Sequence, residues 1–335
     1  MSMRIVVIGA GRMGTIRAED LAADGRVDEI VIVNRNAERA AALAERVGGT
    51  AASWPQDVAD SEQWPDADGY IVTTATDTHA DLISALAIRG RPLLIEKPLA
   101  MTLEETDALV ELAGTTGMQI GFQRRFDAGI REVKRAIESG DLGVLYTLTM
   151  TAHDIAPGTA EFIAGSGGTF RDMLVHDLDL ARWLSDSEII TVYATGAVRN
   201  HPDYAAADDY DVVAVHLSMA NGVPIIISGT RHDPVGHDIR LEAFGSQDSL
   251  SAGLNHRTPL HLADGDLPVN ADPYAGFMDR FRSAFTAETS AYVDFVLGVG
   301  ANPCPPEASR AALAAAIACE ISAREGRPVA MAEVE

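Results

Sequence analysis

Lys97 sits in Glu96-Lys97-Pro98 after the apolar run from Pro92 to Ile95, and Asp172 and His176 recur later at helical spacing. An imidazole has the reference pKa nearest neutrality, so His176 suits removal of a proton from a hydroxyl. An ammonium at the carboxyl end of a parallel strand, the place predicted for Lys97, can steady the alkoxide that forms. Asp172 and His176 lie four residues apart. In a helix they share a face, where the carboxylate raises the basicity of the ring and fixes its tautomer. Pro98 restricts Lys97 to an extended backbone instead of letting it join a helix. The plainer alternatives are a surface lysine at a strand end and a helix histidine paired to Asp172 for stability alone.

What these groups would act beside is announced at the start of the chain. Arg4 to Ile8 reads as a β-branched strand that runs into Gly9-Ala10-Gly11-Arg12-Met13-Gly14 and then a helical stretch. Gly9 permits the tight turn, Gly11 lets a pyrophosphate approach the backbone, and Gly14 allows helix to pack on strand, while the helix N-terminus offers free N–H groups to the anion. Strand before and helix after turn a weak pattern into a strong signal for a dinucleotide. At the end of the second strand, Glu29 to Val33, an acid would hold the ribose hydroxyls of NAD; this chain has Asn34-Arg35. Arg35, with Arg39 one turn on, can pair with a 2′-phosphate, which favours NADP(H) over NAD(H) unless Arg35 is only a solvated surface residue.

Length and composition agree with a two-domain enzyme: 335 residues, 47% of them hydrophobic, exceed the usual ceiling for one core. Lys plus Arg number 26 against 49 Asp plus Glu, and the net charge of −23 disfavours nucleic acid and anionic membranes as partners. An anionic cofactor must then be held by local dipoles and arginines. Cys304 and Cys319 form no CxxC, so neither a disulfide framework nor a cysteine-rich zinc site is expected, and a reducing cytoplasm fits. The N-terminus passes directly into a strand without a signal-peptide pattern, and no apolar run reaches spanning length. A metal-dependent alternative would gather His153, Asp154, Asp172, His176 and Asp177 round a divalent ion, but no HExxH or Cys/His cluster supports it, and no metal is expected.

Strands and helices alternate through residues 1–123: strands at Tyr70 to Thr74, Pro92 to Ile95 and Met118 to Phe122, helices at Thr78 to Arg89 and Thr102 to Gly114, the latter opened by a Thr102/Glu105 capping box. This predicts a doubly wound parallel sheet, a dinucleotide-binding Rossmann domain. Over residues 124–335 strands dominate after the His176 helix: Leu145 to His153, Ile189 to Val198, Asp211 to Met219, Val223 to Thr230 and Asp238 to Phe244. Asn221-Gly222 between two apolar runs reads as a type I′ hairpin. An α+β domain on a large, mostly antiparallel open sheet follows, closed by helices from Phe277 to Leu297 and Pro305 to Arg324.

Together the segments GAGRMG, ATDTHADL (Ala75 to Leu82), EKPL (Glu96 to Leu99), GFQRRFD (Gly121 to Asp127) and GGTFRDMLVHDLDLARWL (Gly167 to Leu184) carry a resemblance to the glucose-fructose oxidoreductase, inositol dehydrogenase and MocA-like family, through nearly the whole chain. Within it, GFQRRFD and the segment His153 to Pro157 most resemble inositol dehydrogenases. The resemblance implies that Lys97 contacts substrate hydroxyl and nicotinamide ribose, that His176 accepts the proton, and that Asp172 orients and charges it. It places Gly9, Gly11, Arg12, Met13, Gly14, Asn34, Arg35, Thr74, Ala75, Thr76, His79, Glu96 and Lys97 near the cofactor, although Thr76 or Asp77 is equally well a helix cap. Ala75 stands where family members often have proline. Arg124, Arg125, His153 and Asp154 fall near the substrate, each with a structural ion pair as its alternative.

The expected activity is hydride transfer between a ring secondary hydroxyl of an inositol-like polyol or a sugar and a nicotinamide. The resemblance also implies a homo-dimer or homo-tetramer formed through the open sheet face. A dinucleotide-binding sensor without turnover is the alternative from another class, because fold does not fix function.

Overall fold

A strand written Ile5-Val6-Val7-Ile8, with no polar alternate, has to be covered on both faces. The computed structural model, which describes residues 2–261, 263 and 272–334, buries all four. Chain order runs β1 (Arg4–Ile8), α1 (Arg12–Ala23), β2 (Glu29–Val33), α2 (Ala37–Val47), β3 (Thr50–Ala52), β4 (Gly69–Val72), α3 (His79–Ala87), β5 (Leu93–Glu96), α4 (Leu103–Thr116) and β6 (Met118–Gly121). It continues with α5 (Ala128–Glu138), β7 (Leu145–His153), α6 (Ala160–Gly165), a π-helical turn (Phe170–Leu174), α7 (Val175–Ser185), β8 (Ile189–Ala197) and α8 (Pro202–Ala206). β9 (Val212–Met219), β10 (Pro224–Thr230), β11 (Asp238–Gly245), β12 (Ser249–Ala252), α9 (Phe277–Arg280), α10 (Arg282–Val296), α11 (Pro306–Glu325) and β13 (Val329–Ala330) complete it.

Two units result, one of residues 1–123 with 283–311, the other of 124–282 with 312–335. The segment 283–311, which the sequence reading leaves with the second domain, thus belongs to the first unit. Its reason is long-range and leaves no local periodicity. The buried Tyr292 hydroxyl donates to the carbonyls of Tyr70 (2.9 Å) and Pro92 (2.8 Å), and Ile120 N donates to Cys304 O (2.8 Å).

In the first unit the strands stand in the order β3-β2-β1-β4-β5-β6, all parallel. This is the doubly wound order that sets ligands at the carboxyl ends of its strands. Thr102 caps α4, its hydroxyl accepting from Glu105 N at 3.2 Å, as the sequence predicts. Arg17 on α1 is fully buried: its Nη2 donates to Glu96 Oε1 (2.8 Å) and Glu288 Oε2 (2.5 Å), and Nη1 to Thr289 Oγ1 (3.1 Å).

The second unit's sheet runs β12-β11-β7-β10-β9-β8-β13, antiparallel except where β10 lies parallel to β7. Alternate residues are buried along β7, β9 and β10, such as Leu148, Met150 and Ala152 on β7. A Cβ on Gly229 of β10 would meet Met173 and Leu174 at 3.0 and 3.1 Å, so the π-helical turn packs on the covered face. The Asn221-Gly222 hairpin forms between β9 and β10, but it is not a type I′ turn. Gly222 alone of the two has positive φ (84°), because Asn221 is engaged otherwise: Oδ1 accepts from Val223 N (3.2 Å) and Nδ2 donates to Ser185 O (3.0 Å).

Burial pushes the Glu288 carboxyl up to about 7 against the pull of Arg17. A carboxyl raised in the folded state adds stability that is fully present below its unfolded pKa and is lost as pH rises through the folded value. Glu288→Gln has no such proton to lose. Urea titrations should therefore show wild type losing roughly 1–3 kcal/mol more stability than the variant between about pH 4.5 and about pH 8; parallel pH profiles would contradict this.

Candidate active site

The glycine loop meets the demands of a dinucleotide one residue at a time. Gly9 holds φ at 111° and a Cβ there would lie 2.6 Å from Thr73 Oγ1, while one on Gly14 would lie 1.9 Å from Gly9 O, so neither position tolerates a side chain. A Cβ on Gly11 would meet nothing within 4 Å: the loop turns bare backbone toward open space. Gly11 caps α1, and no acid occupies the helix's first turn, so an anion would find N–H groups and no like charge. These residues fit a pyrophosphate. Arg12 is exposed and Met13 half-buried at the start of α1.

Asn34, expected as a cofactor contact, is tied into the loop itself. Its Oδ1 accepts from Ala10 N at 3.0 Å, and its Nδ2 donates to Asn36 O at 3.0 Å. Arg35 is exposed and rests with its guanidinium carbon 5.2 Å from the centre of the Trp54 ring. Arg39, also exposed, lies in the first turn of α2, where the Asn36 side chain accepts from its N–H.

After β4, Thr74 Oγ1 accepts from Thr78 Oγ1 (2.7 Å) and Ala75 holds φ −67°, the value that proline would fix, so the loop keeps its shape without one. Thr76 opens a short 3-10 turn, Thr76–Thr78, with Ala75 at its cap. His79, placed near the cofactor by the sequence reading, is instead buried as a staple. Nδ1 faces the carbonyls of Pro98 (3.1 Å) and Leu99 (3.2 Å), Nε2 that of Thr74 (3.3 Å), and burial lowers its pKa. Glu96 is likewise taken, by Arg17.

Lys97 is half-buried between these two anchors, with Glu96 held on one side and Pro98 and Leu99 on the other; the Lys97–Pro98 peptide is cis. The lysine is thus fixed at the carboxyl end of β5. On the same edge of the sheet, β1 ends in the glycine loop.

In the second unit, Asp172 lies in the π-helical turn and His176, buried, in the first turn of α7. Asp172 Oδ2 accepts from Arg231 Nη2 at 2.9 Å, a partner that the sequence reading did not contain. The same guanidinium reaches Asp154 Oδ2 through Nη1 at 3.1 Å and Thr169 Oγ1 through Nε at 3.3 Å. Asp154 Oδ1 lies 3.5 Å from His237 Nδ1, and burial pushes that imidazole down to about 4.

Arg124 and Arg125 follow the structural alternative: both are buried, paired with Asp177 (2.8 Å) and Asp179 (2.5 Å) of α7. Their work is to hold the helix that carries His176. The signal for Arg231 lay in the run Arg231-His232-Asp233 that ends an alternating strand. Its meaning depends on β10 lying parallel to β7, which puts Thr230 opposite His153 and Arg231 beside Asp154.

His153, Asp233 and Asp238 bring ligand atoms within 4.8 Å of one another, a grouping not foreseen. Each is partly engaged. His153 Nε2 contacts Ser228 Oγ (3.1 Å), and both oxygens of Asp238 accept from Arg240 Nε. As a metal ligand Asp238 would share its oxygens with the Arg240 guanidinium.

Residues 3–123 match the oxidoreductase family with an NAD-binding Rossmann fold, GFO/IDH/MocA, and residues 130–251 match a GFO/IDH/MocA C-terminal domain. The chain is 33% identical to the inositol 2-dehydrogenase of Rhizobium meliloti (strain 1021), with 99% of this chain and 100% of that one covered. It is 32% identical to the scyllo-inositol 2-dehydrogenase (NAD(+)) of Bacillus subtilis (strain 168), over 98% and 96%. Among solved structures, a myo-inositol dehydrogenase from Corynebacterium glutamicum superposes with a TM-score of 0.89 at 36% identity, covering 98% and 99%. The chain belongs to the GFO/IDH/MocA family and is an enzyme of the oxidoreductase class, with an NAD-binding Rossmann fold.

Proposed function

We propose that the enzyme transfers a hydride between a ring secondary hydroxyl of an inositol-like cyclic polyol or a sugar and a nicotinamide dinucleotide. The observation that carries this reading is Lys97 pinned at the carboxyl end of β5, on the same sheet edge as a glycine loop open for a pyrophosphate. When bound, the dinucleotide supplies the hydride acceptor. Lys97 steadies the carbinol oxygen and the nicotinamide ribose, His176 takes the hydroxyl proton, and Asp172 orients the imidazole. Asp154 accepts hydrogen bonds from further ring hydroxyls. Three of the inositol-dehydrogenase relatives, each matched over nearly the full chain, support the substrate class. Both cysteines, Cys304 and Cys319, are free and buried, in keeping with action in a reducing cytoplasm.

Cofactor choice rests on Arg35. No acid stands at the end of β2 to repel a 2′-phosphate, and an exposed guanidinium beside Trp54 suits one, which supports NADP(H). The family's description and the Bacillus subtilis relative support NAD. The ratio of kcat/KM for the two dinucleotides decides: it should favour NADP, and Arg35→Ala should lower it by about 10-fold, the loss of one charge-assisted pair. A wild-type ratio favouring NAD, unchanged in the variant, overturns the preference.

Self-association through the outer face of the second unit's sheet is supported by Tyr193 and Ile226, which are 41% and 50% exposed. Light scattering should give a dimer or tetramer that Tyr193→Glu with Ile226→Glu dissociates; a wild-type monomer overturns it.

The main test is a panel of inositols, monosaccharides and their keto forms, read by the absorbance of the reduced nicotinamide. Turnover should appear with a cyclic polyol or sugar, and His176→Gln and Lys97→Ala should each cut kcat by about 10²–10⁴ with dinucleotide affinity nearly unchanged. Tight dinucleotide binding without turnover of any panel member would instead mark a sensor.

A further inference from the structure

Arg231 follows β10 and is 5% exposed, yet its guanidinium touches two carboxylates that remain open to solvent, with side-chain exposures of 22% for Asp172 and 29% for Asp154. One fork of donors therefore backs both acids from the protein side. Each carboxylate gives it the Oδ2 oxygen. A third donor, Nε, is directed to Thr169 Oγ1 (3.3 Å), whose own N–H is held by Asp209 (3.0 Å), and Arg231 N donates to Asp211 O (2.8 Å). The head and backbone of Arg231 are thus both fixed, and the planar fork sets the angle of each carboxylate.

We propose that Arg231 is a positioning residue for the reaction: it fixes Asp172, four residues before His176, to Asp154 at the end of β7, so that acid, base and polyol-binding group hold one geometry before substrate arrives. This inference rests on the function proposed above, because it takes Asp172 and Asp154 as the groups that meet the imidazole and the polyol. Preorganisation of this kind acts on the chemical step more than on ground-state binding. A lysine in its place keeps the charge but presents a single ammonium, which cannot bond both carboxylates in fixed directions.

The test compares Arg231→Gln and Arg231→Lys with wild type, using a polyol deuterated at the reacting carbinol and the full-length enzyme. The expected result is a fall in kcat of about 100-fold for Gln and about 10-fold for Lys, with dinucleotide KM nearly unchanged. The primary deuterium isotope effect on kcat should rise in both, because chemistry becomes more fully rate-limiting. A purely structural role would lower the amount of active enzyme and leave that isotope effect where it was.

Where Arg231→Gln fails to fold, Arg231→Lys decides alone. Lysine at wild-type kcat and an unchanged isotope effect overturns the proposal. A readout independent of turnover separates this inference from the functional reading. In ¹⁵N-histidine spectra of the enzyme, the His176 ring signals, assigned by their loss in His176→Gln, should move in Arg231→Lys. Unmoved signals sink the inference even in an enzyme that oxidises a polyol. Moved signals in a protein that oxidises none would leave it standing while the substrate class fell.

Discussion

A guanidinium with no access to water has to be surrounded by acceptors, and the position of Arg17 makes that requirement organise the first unit. The residue sits on the helix that opens at the glycine loop, and its acceptors come from Glu96 beside Lys97 and from Glu288 and Thr289 on α10. Anion-binding helix, lysine-bearing strand and late-returning helix are thereby locked at one point. The arrangement is a poor way to gain net stability, since desolvating the charges offsets most of their attraction. Removing one member, however, costs about 3–5 kcal/mol because it strands the others. What such a cluster provides is register: β5 cannot slide without breaking it. Gly121 shows how closely the neighbours are built to it, for a Cβ there would lie 2.7 Å from Glu96 Oε2.

The second unit repeats the device with different residues. Arg124, Arg125, Arg231 and Arg280 are all buried, and each is paired to at least one aspartate, respectively Asp177, Asp179, Asp172 with Asp154, and Asp127. In a chain with 26 basic and 49 acidic residues, these cations are drawn inward and the excess acid remains to solvate the surface. Arginine suits the interior because its charge is never given up and its planar fork fixes direction, whereas a buried lysine readily sheds its proton. His176 is held through α7 by two of these pairs, and its upstream turn by a third.

Much that depends on local periodicity or on a motif in its context was legible beforehand, although the type of the Asn221-Gly222 turn was not. β1, β2 and β7 lie where alternation and apolar runs put them, and the Thr102 cap and the glycine loop follow from side-chain chemistry alone. The sequence places Lys97 at the end of a strand and Asp172 and His176 four residues apart, and the structure sets Lys97 directly after β5, Asp172 in the π-helical turn and His176 in α7. What escaped was set by tertiary pairing. Motif spacing shows proximity but not direction, so it does not reveal that Glu96 pairs with Arg17 or that the His79 ring faces backbone carbonyls. The π-helical turn at Phe170–Leu174, in which Asp172 lies, has no sequence sign. Arg231 acquires meaning only once β10 is known to run parallel to β7.

The balance between anionic cofactor and acidic protein follows from the same division of labour. A net charge of −23 repels a dinucleotide at long range, but salt screens that field over about 8 Å at physiological ionic strength, so capture depends on the last few ångströms. There the chain offers bare N–H groups at Gly11 and a helix start free of acids. It also offers Asn34, a neutral side chain where an acid would add one more like charge. Asn34 Oδ1 accepts from Ala10 N, so the side chain shapes the loop. An aspartate there could make the same bond to Ala10 while also accepting from the ribose hydroxyls. Its absence removes both an attraction for a ribose hydroxyl pair and a repulsion for a 2′-phosphate, and the exposed Arg35 is the residue that follows in the chain.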